Sequence, residues 1–180
     1  MSEKKIAVIV GSLRKASFNR KIANELMRLA PESLKLHIVE IGDLPHYNED
    51  IETSEPPAAW TIFREAVKGS DGVLFVTPEY NRTIPGVLKN AIDVGSRPYG
   101  HSVWFGKPAA VISSSPGATG GFGANHNVRQ AVVFLGVPMM QGEAYIGNVA
   151  SLFEEDTLVD STAEFLSRFL NDYANWVNRF

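Results

Sequence analysis

Ser12, Arg14, Ser17 and Asn19 follow Gly11 closely, at the end of an apolar run containing Ile6, Val8, Ile9 and Val10. Hydroxyls, an amide, a guanidinium and free backbone N–H groups gathered at a helix start suit an anion. Orphan amide donors and the helix dipole both favour negative charge there. A plainer reading lets Ser17 cap the helix and Ser12 fill a tight turn. The segment has neither the G-x-x-x-x-G-K-[ST] spacing of a triphosphate loop nor the G-x-G-x-x-G of a dinucleotide fold. A single terminal phosphate, such as that of FMN, fits it better.

Two further segments have polar chemistry after apolar runs. In 77–93, Pro78 and Pro85 bound a loop holding Glu79, Tyr80 and Asn81. Restricted backbone suits a planar ligand, and Asn81 with the loop amides can reach the polar edge of a heterocycle. An ordinary strand–helix loop, with Thr83 as cap and Lys89 in solvent, is the competing account. In 113–123, Ser113, Ser115, Gly117 and further glycines permit close backbone approach to a ligand, or simply form a flexible surface loop.

The elements that must position these segments alternate between strand and helix. Apolar runs at 5–10, 73–76 and 109–112 read as buried parallel strands, with a second strand at 34–41 and a fifth within 138–146. Helical spacing places Phe18, Ile22, Leu26 and Leu29 on one face until Pro31. Further helices are expected from Pro57 (Trp60, Phe63, Val67), from Pro85 (Leu88, Ile92), over 125–135 and over 161–179. A long loop, 42–57, separates the second strand from the next helix. Five strands and five helices fit a doubly wound parallel sheet. In such a sheet a ligand sits beyond the carboxyl ends of the strands, where strand order reverses. The three polar segments would then share one rim.

Composition narrows the chemistry. The 180 residues include no cysteine, which removes thiolate nucleophiles, disulfides and cysteine-held metals. His37, His46, His101 and His126 are scattered without ligand spacing. Redox chemistry would therefore need a bound organic cofactor. A net charge of −3 without a lysine–arginine run lacks the footprint of a nucleic-acid binder. No apolar run approaches the ~20 residues of a membrane span, and the first residues lack a signal-peptide layout, so a cytoplasmic protein is expected.

Together these residues resemble the NADPH-dependent FMN reductase family, particularly its chromate and quinone reductase branch. The resemblance rests on Gly11-Ser12-Leu13-Arg14 with Ser17 and Asn19, on Pro78-Glu79-Tyr80-Asn81 continued through 85–93, and on 113–121. It implies one flavodoxin-like domain over 1–180, a five-stranded parallel sheet of order 2-1-3-4-5 with helices on both faces, and non-covalent FMN. On that basis Ser12, Arg14, Ser17 and Asn19 would hold the phosphate. Pro78, Glu79, Tyr80 and Asn81 would line the ring, and Ser113, Ser115 and Gly117 would approach its other edge. Arg82-Thr83 departs from the pattern, where members often carry a small or aromatic residue followed by serine; acceptor preference is the property it touches.

The implied reaction passes hydride from NADPH or NADH through FMN to a quinone, chromate or another small acceptor, the two substrates taking turns. Glu79 would either relay a proton or position its loop. A homodimer or homotetramer is implied, with the aromatic stretch 97–105 either completing a neighbour's site or packing beneath its own strand. The alternative is a flavodoxin-type electron carrier, which the weak net charge supports poorly. A flavin-free regulator would need an acidic cluster after the first strand, and Arg14 is the opposite.

Overall fold

The computed structural model describes residues 3–180. Strands β1 (Lys4–Val10), β2 (Leu34–Val39), β3 (Gly72–Thr77), β4 (Ala109–Ser114) and β5 (Ala144–Ile146) form one parallel sheet of order β2-β1-β3-β4-β5. The chain leaves β1 for β2, then crosses back to β3 on the other side of β1. That reversal opens a crevice at the carboxyl ends of β1 and β3.

Side-chain alternation along each strand divides the core into two layers. Ile6, Val8 and Val10 face α1 (Phe18–Leu29) and α5 (Asp160–Val177). Ala7 and Ile9 face α2 (Ala58–Lys68), α3 (Gly86–Gly95) and α4 (Phe122–Phe134). Because both faces are covered, β1, β3 and β4 are almost continuously apolar. Tyr173 of α5 is fully buried and its hydroxyl donates to the Val73 carbonyl at 2.9 Å, with the Pro108 carbonyl as a second acceptor within reach at 3.1 Å. Its burial raises the phenol well above its ordinary pKa.

The aromatic stretch 97–105 serves two environments. Trp104 is buried against Phe63 and Phe75 and donates from Nε1 to the Ile92 carbonyl at 2.9 Å, whereas Phe105 is 76% exposed. Helix α4 starts at Phe122, earlier than the spacing of its apolar residues suggests, and α3 starts after Pro85 without a side-chain cap from Thr83. The loop after β2 is anchored rather than free. Arg64 pairs with Glu52 and donates to the Val94 carbonyl, while Asn90 binds the Leu44 and Pro45 carbonyls and the Tyr47 N–H. Among the described residues no helix is long and apolar enough to cross a membrane, and no acidic or histidine cluster is placed to hold a metal.

A short hairpin, β6 (Phe153–Glu154) and β7 (Thr157–Leu158), packs on α1 and was not legible in the sequence. Phe153 stacks on Phe18 at 6.1 Å. Glu25 of α1 accepts from the Leu158 N–H (3.3 Å) and from Arg28 (3.0 and 2.9 Å). Its hydrogen bond with Arg28 is the main cause holding its carboxyl below the ordinary range. A carboxyl whose pKa is lower folded than unfolded adds stability above its unfolded value of about 4.3, and that stability is lost as pH falls through the folded value. Glu25→Gln is therefore expected to melt below wild type at pH 7, with the gap closing on acidification. Melting curves across pH 7 to 3 check this; a gap that persists unchanged in acid would refute it.

Candidate active site

The loops after β1, β3 and β4 meet over the crevice and enclose a cavity of about 240 Å³. Ser12, Arg14, Ser17, Phe18 and Asn19 form one wall, Pro78, Glu79 and Tyr80 another, and Ser114, Ser115, Pro116 and Val149 a third.

The first wall is the start of α1. Ser17 is its N-cap, accepting from the Arg20 N–H at 3.3 Å. The N–H groups of Phe18 and Asn19 find no acceptor among the described residues, and the first turn carries no acidic side chain. The positive end of the helix is thus uncompensated. Arg20 is committed to Glu40 through two contacts of 2.8 and 2.7 Å, which hold that carboxyl below its usual pKa. Arg14 makes no ion pair with any described residue and is exposed at the mouth. Buried Asn19 accepts at Oδ1 from the Ser114 hydroxyl (3.1 Å), leaving its amide N–H groups as donors toward the cavity it lines.

The second wall is fixed from behind. Glu79 Oε2 accepts from the Ala124 N–H at 3.1 Å, in the first turn of α4. The N-cap of α4 is Gly121, which has no side chain to offer, so Glu79 supplies the missing acceptor from a distant part of the chain. Gly123 permits the approach: a Cβ there would lie 2.6 Å from the Arg82 carbonyl oxygen and 2.9 Å from Glu79 Oε2. Beyond Tyr80 the chain turns sharply, with paired 3.0 Å backbone hydrogen bonds between Tyr80 and Thr83.

The third wall departs from the sequence expectation at Ser113. That side chain is fully buried on the α4 side, its hydroxyl oxygen accepting from Asn125 Nδ2 at 3.2 Å. Strand alternation turns its neighbour Ser114 to the cavity instead. Ala110 and Ile112 already face α1, so period-2 reasoning carried two residues further would have found Ser114. Asn81 and Gly117 also lie outside the lining. Asn81 sits in the turn, and the Gly117 carbonyl accepts from the Gly120 and Asn148 N–H groups, closing the loop. Val149 enters from a 3₁₀ turn, 149–151, for which no local pattern gave a signal.

A donor-rich end beside proline and tyrosine walls can take a planar molecule with a phosphate tail. Known proteins are similar to this chain over nearly its whole length. A quinone reductase of Pseudomonas putida is 64% identical over 174 residues, covering 96% of this chain and 94% of that one. A 2-hydroxy-1,4-benzoquinone reductase of a Burkholderia species is 44% identical over 176 residues, covering 96% of each. The solved structure of FerB, a flavoenzyme NAD(P)H:(acceptor) oxidoreductase from Paracoccus denitrificans, superposes with a TM-score of 0.92 at 42% identity, covering 98% of both chains. The description of NADPH-dependent FMN reductases itself matches residues 4–151, and the chain belongs to that family.

Proposed function

We propose that this protein is an NAD(P)H-dependent quinone reductase that holds FMN without a covalent bond, in the cavity over β1, β3 and β4. The observation that carries the reading is the gathering of Arg14, Ser12, Asn19 and the free N–H groups at the start of α1, in a cavity also lined by Pro78 and Tyr80. This donor set fits a phosphate monoester, and the cavity fits an aromatic ring system. Held by these residues, FMN would supply hydride transfer between NAD(P)H and the acceptor. The chain's own residues bind and orient. Ser12, Arg14, Ser17 and Asn19 neutralise and fix the phosphate, Pro78, Tyr80 and Pro116 confine the ring, and Glu79 keeps its wall in place by capping α4. Chromate belongs among the acceptors to assay. Reliance on a nicotinamide donor goes with a cytoplasmic setting.

A second copy of the chain is the proposed partner. A groove of about 1240 Å³ runs between α3 and α4, starting at Thr83 and Ile84 next to the cavity. Phe105, Tyr99 (88% exposed) and Phe134 (88% exposed) line it, an apolar surface that a monomer rarely leaves in water. A homodimer built on this face, or a tetramer of such pairs, would place each flavin close to a neighbour.

The purified protein is expected to be yellow and to bleach with NADPH or NADH under argon. Stripping FMN should lower the melting temperature, because a ligand at a hundred times its Kd adds about 2.7 kcal/mol to the native state. For a chain of this length that corresponds to roughly 5–10 °C. A colourless protein that neither binds added FMN nor changes its melting point would overturn the proposal.

A further inference from the structure

Arg82 occupies a backbone conformation that penalises most side chains. Asn81 and Arg82 are the central pair of the turn closed by Tyr80 and Thr83, with φ of 52° and 66°. Two successive positive values are the pattern of a type I′ turn, in which the second position favours glycine. Asparagine tolerates the left-handed region; arginine has no local hydrogen bond to offset it. Strain of this kind persists where the surroundings fix it, and here they do, since the Arg82 carbonyl lies against Gly123 and Glu79 is tied to α4.

The side chain gains little from its own protein. Its exposure is 81%, and the nearest counter-charge, Glu79 Oε1, stands at 3.6 Å. The guanidinium donates no hydrogen bond to any described residue. Glu79 and Tyr80 line the cavity on one side, whereas Thr83 and Ile84 line the groove on the other. Arg82 thus stands on the rim between the two, two residues from the half-exposed Tyr80 ring. The phosphate donors lie on a different wall, at the start of α1, and the single long contact with Glu79 leaves most of the Arg82 donor fork in solvent, where a second anion can meet it.

We infer that Arg82 is a specificity-determining residue that favours quinones carrying an ionised ring hydroxyl over neutral quinones. The inference rests on the flavin reading above. Such an anion spreads its charge over oxygens at the ring edge, a target for the planar donor fork of a guanidinium. A small ring stacked beside Tyr80 would keep that edge near the turn that carries Arg82, whereas the 2′-phosphate of NADPH is on the adenosine, at the opposite end of that cofactor from its reacting ring. The overall reaction is unchanged: the quinone takes up a hydride equivalent and a solvent proton, and the nicotinamide is oxidised by the same two electrons.

The test titrates oxidised, flavin-loaded protein calorimetrically, without nicotinamide, using 2-hydroxy-1,4-naphthoquinone and its neutral analogue 2-methyl-1,4-naphthoquinone. Wild type should prefer the hydroxyquinone, and its Kd for that ligand should rise with salt as the charges are screened. Arg82→Gln should raise that Kd about tenfold and flatten its salt dependence, with the neutral quinone unmoved. Arg82→Lys should retain most of the preference, and Arg82→Gly should lose it while melting above wild type. Equal effects on both quinones, or no effect on either, would overturn the assignment. Flavin absorbance separates the two levels. Wild type that lacks flavin removes the parent reading, while a yellow, NADPH-reducible Arg82→Gln with unaltered selectivity removes only this one.

Discussion

Arg14→Ala is expected to weaken FMN binding by about 1.5–3 kcal/mol, one to two orders of magnitude in Kd, the range for a hydrogen bond to a charged group. The other nearby guanidinium, Arg20, is held by Glu40 and cannot substitute. Arg14 has no competing carboxylate among the described residues, so its whole charge is available to the ligand. Titration of the apoprotein with FMN and with riboflavin isolates the effect. The variant should lose affinity for FMN and keep the wild-type affinity for riboflavin, which lacks the phosphate. Equal losses for both would mean that Arg14 shapes the loop rather than binding the tail, and an unchanged FMN affinity would refute the role.

Phe134→Asp should convert the proposed dimer to monomers at micromolar concentration. An aromatic anchor at the centre of an interface is commonly worth 2 kcal/mol or more, about thirtyfold in Kd, and a carboxylate there adds a desolvation cost. Phe134 is 88% exposed in the single chain, so the substitution removes no core contact and the monomer should melt close to wild type. Sedimentation over a concentration series gives the result. A wild type that is monomeric throughout, or a variant that still pairs, would show that this groove is not the contact between copies.

The parts of the fold legible in the sequence are those whose determinants are local. The uninterrupted apolar runs of β1, β3 and β4 announce strands covered on both faces, and Ser17 before Phe18 marks the start of α1. What was hidden depends on partners far along the chain. Helix α4 begins among glycines with no Ser, Thr or Asp to cap it, because Glu79 does so from another loop. The segment 42–57 looks loose until Arg64 and Asn90 are seen to bind it. Hairpin 153–158 is too short for a periodic signal, and α1 holds it through Glu25 and Phe18. At the cavity, the lining hydroxyls Ser12 and Ser17 and the loop after β3 could be located from their residue types. That Ser114 rather than Ser113 lines the cavity follows from strand alternation once Ala110 and Ile112 are known to face α1.

The carboxylate of Glu79 belongs at once to the wall of one hollow and to the first turn of the helix that carries Phe134 at its far end. If the proposed dimer forms on that face, one side chain therefore links the ring's surroundings to the contact between copies. A substitution that reshapes the opening turn of α4 also shifts the Glu79 wall of the cavity, so neither surface can be altered alone.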